Sequence, residues 1–411
     1  MIAVNPLSDL LATLLDRGPF GRKDVDGRSI QADCLQLLSE RAEISGLQLA
    51  SRILNQYHML DQAQLVSFFE FLNNDLDIDA SKIADLARRY GEDPTPQTYA
   101  ALSQASEPAR QRLFRRLNEA PGATEVIVRM RRDLLGLIKE RPELSRMDHD
   151  LQHLLRSWFN RGFLVMQQVN WDSPASVLEK IIAYEAVHEI RTWDDLRRRL
   201  QPEDRRCFAF FHPSMPSEPL IFVEVALTKG VPNSIQRLLS DKRDALAETS
   251  ADTAVFYSIS NCQAGLAGVS FGNSLIKQVA RDLSRDLPNL KTFVTLSPVP
   301  GFMRWLAEGN ISIDPADTAK LERLAAKYLL EAKDEHGRPV DPVARFHLGN
   351  GAIVHAVHSN ADTSETGLKR SSGLMVNYLY DLGRISQNAV QFSKSNHVAA
   401  SASVKSQAKR A

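Results

Sequence analysis

Apolar positions return every third or fourth residue through roughly the first 160 residues, and in alternating or short continuous runs after that. Leu7, Leu10, Leu11, Leu14 and Leu15 follow the i, i+3, i+4, i+7, i+8 rule, with Gly18 as a stop signal, which predicts a short amphipathic helix. The same period recurs over 34–54, 65–72, 83–89 and 124–139. Breaks fall at Gly91-Glu-Asp-Pro-Thr-Pro96 and Ala120-Pro-Gly122, where Pro and Gly cannot continue a helix. No fixed-period self-similarity is visible, so the pattern predicts an all-α bundle over residues 1–160 and disfavours a solenoid. Strand-like runs then appear at 163–169, 207–211, 220–227, 254–260, 292–297 and 352–357, with helical segments at 234–239, 273–287 and 317–330 between them. The predicted fold is α+β in two domains: the helical bundle, then a mixed α/β catalytic domain over 161–385. Residues 386–411 close the chain as a tail. From Arg384 onward there are five basic residues and no acidic one among Ser, Ala, Gln and Asn, which predicts a solvated, partly disordered terminus, a functional basic arm being the alternative.

Composition narrows the function classes. The 411 residues suggest two or three domains, in keeping with the pattern. Fifty Lys+Arg against fifty Asp+Glu leave a formal charge of zero, which argues against a nucleic-acid binder or an anionic-membrane binder. An anionic ligand must then be held by local charge or backbone donors. Cys34, Cys207 and Cys262 are an odd, scattered set with no CxxC and no zinc spacing, so neither a disulfide scaffold nor a metal site is expected. The longest strongly apolar stretch, 220–227, is strand-length and carries Glu224, and no membrane span is expected. With no secretory or transit pattern after Met1, a cytoplasmic location is expected.

The most informative segment runs from Ser258 to Asn273 and opens a helix. Glycines at 265, 268 and 272 let backbone approach a ligand, and a helix start offers unpaired N–H groups to an anion such as a pyrophosphate. A tight turn made for packing is the plainer alternative. Lys277 and Arg281, four apart, could add charge or simply be solvated. Within the segment, Gly268-Val-Ser-Phe-Gly272 is a literal G-x-S-x-G, yet the predicted strand ends near Ser260, too early for a nucleophile elbow at Ser270. Ser297 closes an apolar run just before Pro298 and Pro300-Gly301, which places a hydroxyl at a strand end, either to cap the turn or to meet a ligand. If the strands before and after the glycine turn are parallel, Ser297 and that turn share one rim. His347 and Asn350 flank a glycine turn ahead of another strand, and histidine moves protons near neutral pH.

Taken in order, these motifs resemble the malonyl-CoA decarboxylase family. The match runs from about residue 161 to 380 and includes Tyr184-Glu-Ala-Val-His188, Gln263-Ala-Gly-Leu-Ala-Gly-Val269, Leu296-Ser-Pro-Val-Pro-Gly-Phe302, Phe346-His-Leu-Gly-Asn-Gly-Ala352 and Gly373-Leu-Met-Val-Asn-Tyr-Leu-Tyr380. The resemblance implies an N-terminal helical domain for oligomerisation, a tetramer as the assembly, and a catalytic domain of the N-acetyltransferase superfamily fold. It implies that Ser297 and His347 are catalytic. It also implies that Ala267, Gly268, Val269, Ser270, Phe271, Gly272 and Asn273 bind malonyl-CoA, with Tyr380 near the active site. Ser270 and Asn273 stand where other members carry a glutamate and a threonine, so backbone contacts there are more secure than side-chain ones. The C-terminus is not the peroxisomal Ser-Lys-Leu of many eukaryotic members, which fits a bacterial-type cytoplasmic enzyme.

The implied reaction releases CO2 from malonyl-CoA and leaves an enolate on the thioester oxygen, so no organic cofactor or metal is expected. The needs of that chemistry assign oxyanion or carboxylate stabilisation to Ser297 and to backbone N–H groups near Gly268, and proton donation at C2 to His347, while which of the two side chains touches which substrate atom stays open. Three rivals share parts of this inventory: an acyl-CoA N-acyltransferase, a serine hydrolase acting through Ser270, and a non-enzymatic acyl-CoA sensor.

Overall fold

A computed structural model describes residues 27–269 and 272–411, the side chains of 272–274 aside. The helix predicted over 7–15 lies outside the described residues, as do Ser270 and Phe271. The chain divides into two compact units. One runs to Phe163 and also takes in His212–Pro216 and Gln263–Val269; the other holds Leu164–Phe211, Ser217–Cys262 and Ser270–Ala411.

The first unit is helical: α1 (Ile30–Ser39), α2 (Glu43–His58), α3 (Gln62–Asn74), α4 (Ala80–Glu92), α5 (Pro96–Ala105), α6 (Ala109–Leu117), α7 (Ala123–Leu137) and α8 (Ser145–Trp158). The single periodic stretch over 34–54 is in fact two helices. Glu40 interrupts it, its carboxylate accepting the N–H groups of Arg41 and Ala42 and so competing with the helix for them. The break at Ala120-Pro-Gly122 is where the pattern puts it, with Gly122 left-handed at φ 73°. Cys34, Leu37, Ile53, Phe68, Phe69, Leu72, Phe114, Leu134 and Leu151 form buried stripes of these helices. Burial of each large side chain contributes about 1.5–3 kcal/mol. Charged groups inside this core are paired: Asp33 takes two bonds from Arg52, and Arg110 bridges Asp77 and Asp150.

The second unit is built on an eight-stranded sheet of β1 (Val165–Val169), β2 (Arg205–Phe211), β3 (Ile221–Thr228), β4 (Thr253–Asn261), β5 (Thr292–Thr295), β6 (Ser297–Pro298), β7 (Ile353–His358) and β8 (Met375–Leu379). Strands β1 to β4 are antiparallel in sequence order, β4 and β5 are parallel, and β5, β6 and β7 each pair antiparallel with β8. The six predicted strands are present. The missing strand in the prediction is β8, five residues in which a buried Asn377 interrupts the apolar signal. The α9 (Ala175–Tyr184) and α10 (Trp193–Leu200) helices link β1 to β2, and α11 (Ile235–Leu238) follows β3. The parallel β4–β5 pair requires a crossover, which α12 (Gly272–Asp286) supplies. After β6 come α13 (Phe302–Glu308), α14 (Thr318–Glu331) and α15 (Pro342–Gly349), and α16 (Glu365–Ser371) joins β7 to β8.

The tail over 386–411, expected as partly disordered, is ordered. It folds into α17 (Ile385–Ser395) and α18 (Ala402–Ala408). Val404 is fully buried and Val398 and Ala408 nearly so, while Val354 donates to Ala399 and Ser401 donates back to Val354. The basic residues of the tail do not keep it in solvent, because its apolar Val398, Val404 and Ala408 are buried and its many small side chains allow close packing against α14 and β7.

Candidate active site

Three side chains of the second unit meet in its interior. Ser297 opens β6; its Oγ lies 3.1 Å from His347 Nε2 and donates to Thr295 Oγ1 at 2.8 Å. The other ring nitrogen of His347, Nδ1, is 2.8 Å from the Tyr380 hydroxyl. Exposure is only 5% for Ser297, 2% for His347 and 1% for Tyr380, so the chain is shielded from bulk water. Since Ser297 gives its proton to Thr295, the network assigns the ring proton to Nε2, donating to Ser297, and makes Tyr380 the donor to Nδ1.

Each group is held by a local rule. His347 lies in the last turn of α15, just ahead of the glycine turn beside which the sequence reading puts it. Pro342 stands at N1 of that helix and Asp341 caps it, accepting from Val343 and Ala344. Asn350 is the C-cap, and Gly351 follows at φ 86°, where an added Cβ would sit 1.9 Å from the Ile385 carbonyl. The ring of Tyr378 stacks on His347 with centroids 4.5 Å apart. Tyr380 follows β8, its N–H bonded to the Phe293 carbonyl and its ring against Phe256 at 6.2 Å.

Burial sets the charge state. It holds the His347 imidazole down at about 3, so the ring is neutral at physiological pH. It also pushes the Tyr380 hydroxyl well above its ordinary value. A neutral imidazole bonded at both nitrogens can still donate a hydrogen bond or proton to a strong base, in the manner of a neutral electrophilic histidine.

Sequence reasoning singled out Ser297, His347 and Tyr380, and the structure brings these three together. Thr295 was missed, although two residues before Ser297 on an extended run is the same-face spacing that points to it. It also accepts the N–H of Tyr378, and its carbonyl accepts from Asn377.

Residues Gln263–Val269 of the glycine turn belong to the first unit. After β4 ends at Asn261 the chain makes a short 3₁₀ turn over Ala264–Leu266, so among the described residues no strand leads directly into Gly268, as a nucleophile elbow would require. Gly268 is left-handed at φ 76°, and a Cβ there would lie 2.5 Å from Gln152 Nε2. Gly272 and Asn273 open α12, as the helix-start reading expects. Ala267 and Gly268 are exposed and Val269 is buried. Cys262, next to this segment, is buried, its thiol pushed well up by desolvation, which makes it an inert core residue. No group of metal-binding side chains occurs among the described residues, and none of their helices is long and apolar enough to cross a membrane.

A sheltered serine–histidine–tyrosine chain on a mixed sheet is an arrangement that can pass a proton and donate hydrogen bonds to an anion. Comparison with known proteins makes the assignment specific. The family pattern of the malonyl-CoA decarboxylase C-terminal domain matches residues 162–318 and 310–411, and that of the malonyl-CoA decarboxylase N-terminal domain matches 76–159. This chain belongs to the malonyl-CoA decarboxylase family. It is 36% identical over 349 residues to the mitochondrial malonyl-CoA decarboxylase of Anser anser anser, covering 72% of this chain and 69% of that one. Solved malonyl-CoA decarboxylases are nearer in identity. That of Rhodopseudomonas palustris has a TM-score of 0.86 at 45% identity, covering 92% of this chain and 98% of the other. That of Agrobacterium vitis has a TM-score of 0.87 at 46% identity, covering 92% and 99%.

Proposed function

We propose that this protein decarboxylates malonyl-CoA to acetyl-CoA and CO2. The observation that carries the reading is the buried Ser297–His347–Tyr380 chain, which lies wholly within the stretch matched by the family's C-terminal domain. The C–C bond to the carboxylate breaks, its electron pair moves into the thioester carbonyl, and a proton then adds at C2. The thioester is itself the electron sink, so the chemistry calls for no organic cofactor and no metal. Ser297 stabilises the oxyanion or carboxylate, and His347, neutral and donating through Nε2, is the group best suited to protonate the strongly basic enolate carbon. The turn over residues 267–273 binds the acyl-CoA, chiefly through backbone N–H groups.

The direct test incubates purified protein with malonyl-CoA and no acceptor. Stoichiometric acetyl-CoA and CO2 support the reading. Free CoA would point to a hydrolase, acyl transfer only on adding an amine to an N-acyltransferase, and binding without turnover to a sensor. A cytoplasmic location and a homo-oligomer, a tetramer in the family's manner, complete the proposal; light scattering on the purified enzyme checks the assembly.

A further inference from the structure

Arg131 of α7 is 1% exposed, yet it is a guanidinium, a group that is costly to bury. Its Nε pairs with Asp148 Oδ1 at 2.7 Å, and its Nη1 donates to two backbone carbonyls of the glycine turn, those of Gly265 and Ala267, at 2.8 Å each. Gly265 is pressed against α7 so closely that a Cβ would lie 1.8 Å from the Val128 carbonyl. If the turn needed only packing, an apolar side chain would supply it at lower desolvation cost. A planar guanidinium anchored on Asp148 through Nε, with its Nη1 on two carbonyls at once, fixes peptide planes.

What those planes present follows from trans geometry. No peptide bond among the described residues is cis, and in a trans peptide the C=O and the following N–H point in opposite directions. Holding the Ala267 carbonyl on Arg131 therefore turns the Gly268 N–H away from Arg131. The neighbouring amides are already spent, Ala267 on the Ala264 carbonyl and Val269 on that of Leu266. The Gly268 N–H has no partner among the described residues. We infer that Arg131 is a positioning residue for acyl-CoA binding: by gripping the carbonyls of Gly265 and Ala267 it aims the Gly268 N–H at the ligand. This rests on the reading of residues 267–273 as the acyl-CoA turn.

The test uses full-length Arg131→Met, Arg131→Lys and Gly268→Ala, with steady-state kinetics on malonyl-CoA and calorimetric titration with CoA. Arg131→Met is expected to raise KM and the Kd for CoA about tenfold or more while kcat stays within about threefold. Arg131→Lys, whose ammonium lacks the planar fork, should recover part of the loss. Wild-type KM and Kd in Arg131→Met, together with weakened binding in Gly268→Ala, would overturn the role of Arg131 and leave the turn intact as the site. Unchanged Kd in both would instead overturn the turn reading. Should Arg131→Met not fold, Arg131→Lys decides: weakened CoA binding at wild-type melting temperature supports the inference, and unchanged binding overturns it.

Discussion

Burial does two opposite things for Ser297 and His347: it strips water from the hydrogen bonds, and it denies the imidazole its charge. The catalytic expectation is that Ser297→Ala and His347→Ala each lower kcat at least about a hundredfold, with the circular dichroism of the native protein. Thr295→Val, which removes the acceptor that orients Ser297, should cost roughly three- to tenfold in kcat with KM unchanged. The depressed imidazole also fixes a pH dependence. An unfolded histidine takes up a proton near 6.5, whereas the buried ring does so only near 3. Between those values the unfolded chain binds more protons, so stability falls as pH drops from 6.5 toward 3, and His347→Gln should flatten that slope in denaturant titrations. Conversely, a kcat profile over about pH 6 to 8 should show no limb from His347, which is already neutral throughout. Ser297, His347 and Tyr380 were legible because a family motif surrounds each. Arg131 was not, since 134 residues separate it from the carbonyl of Gly265 and an arginine on a helix ordinarily reads as solvated.

Elements hold these residues through a few unforgiving positions. Gly351→Ala would force a Cβ against the Ile385 carbonyl at a left-handed φ, and should destabilise the fold by several kcal/mol, on the order of 3. Strand β3 carries Glu224 inside an apolar run. There its carboxylate is fully buried and bonded to Arg199 at 2.9 Å, and burial pushes the carboxyl up in spite of that partner. Arg199→Met strands this group, and unfolding by urea at about pH 8 should show a loss of about 3–5 kcal/mol. Because the raised carboxyl of the folded state takes up its proton at higher pH than the unfolded one, the loss should shrink as pH falls toward 5. Periodicity placed most elements well, and its errors have local causes. Glu40 splits a continuous apolar stripe by binding backbone amides, and β8 hides because Asn377 sits in the middle of its five residues.

At the scale of the whole molecule, fifty charges of each sign leave little net repulsion between copies. With a pI near 7.2, solubility at low salt should pass through a minimum close to that pH and recover on raising either pH or salt, which turbidity measurements would show. The C-terminal residues also prove structural. Deleting 400–411 removes the buried Val404 and Ala408 and the bond from Ser401 to Val354, and should lower the melting temperature by on the order of 5 °C or more.

Local information, in the form of spacing, turn residues and motif order, determined what this protein is made of: a helical half, a mixed sheet, and the serine, histidine and tyrosine that meet inside it. Those signals act over a few residues, within the reach of sterics and single hydrogen bonds. Only the tertiary structure decided how they are used. It grouped residues Gln263–Val269 with the helical unit, made the tail part of the core, set His347 neutral, and brought Thr295 and Arg131 into play. Desolvation and long-range hydrogen bonding depend on which distant segments close around a group, and no stretch of sequence carries that by itself.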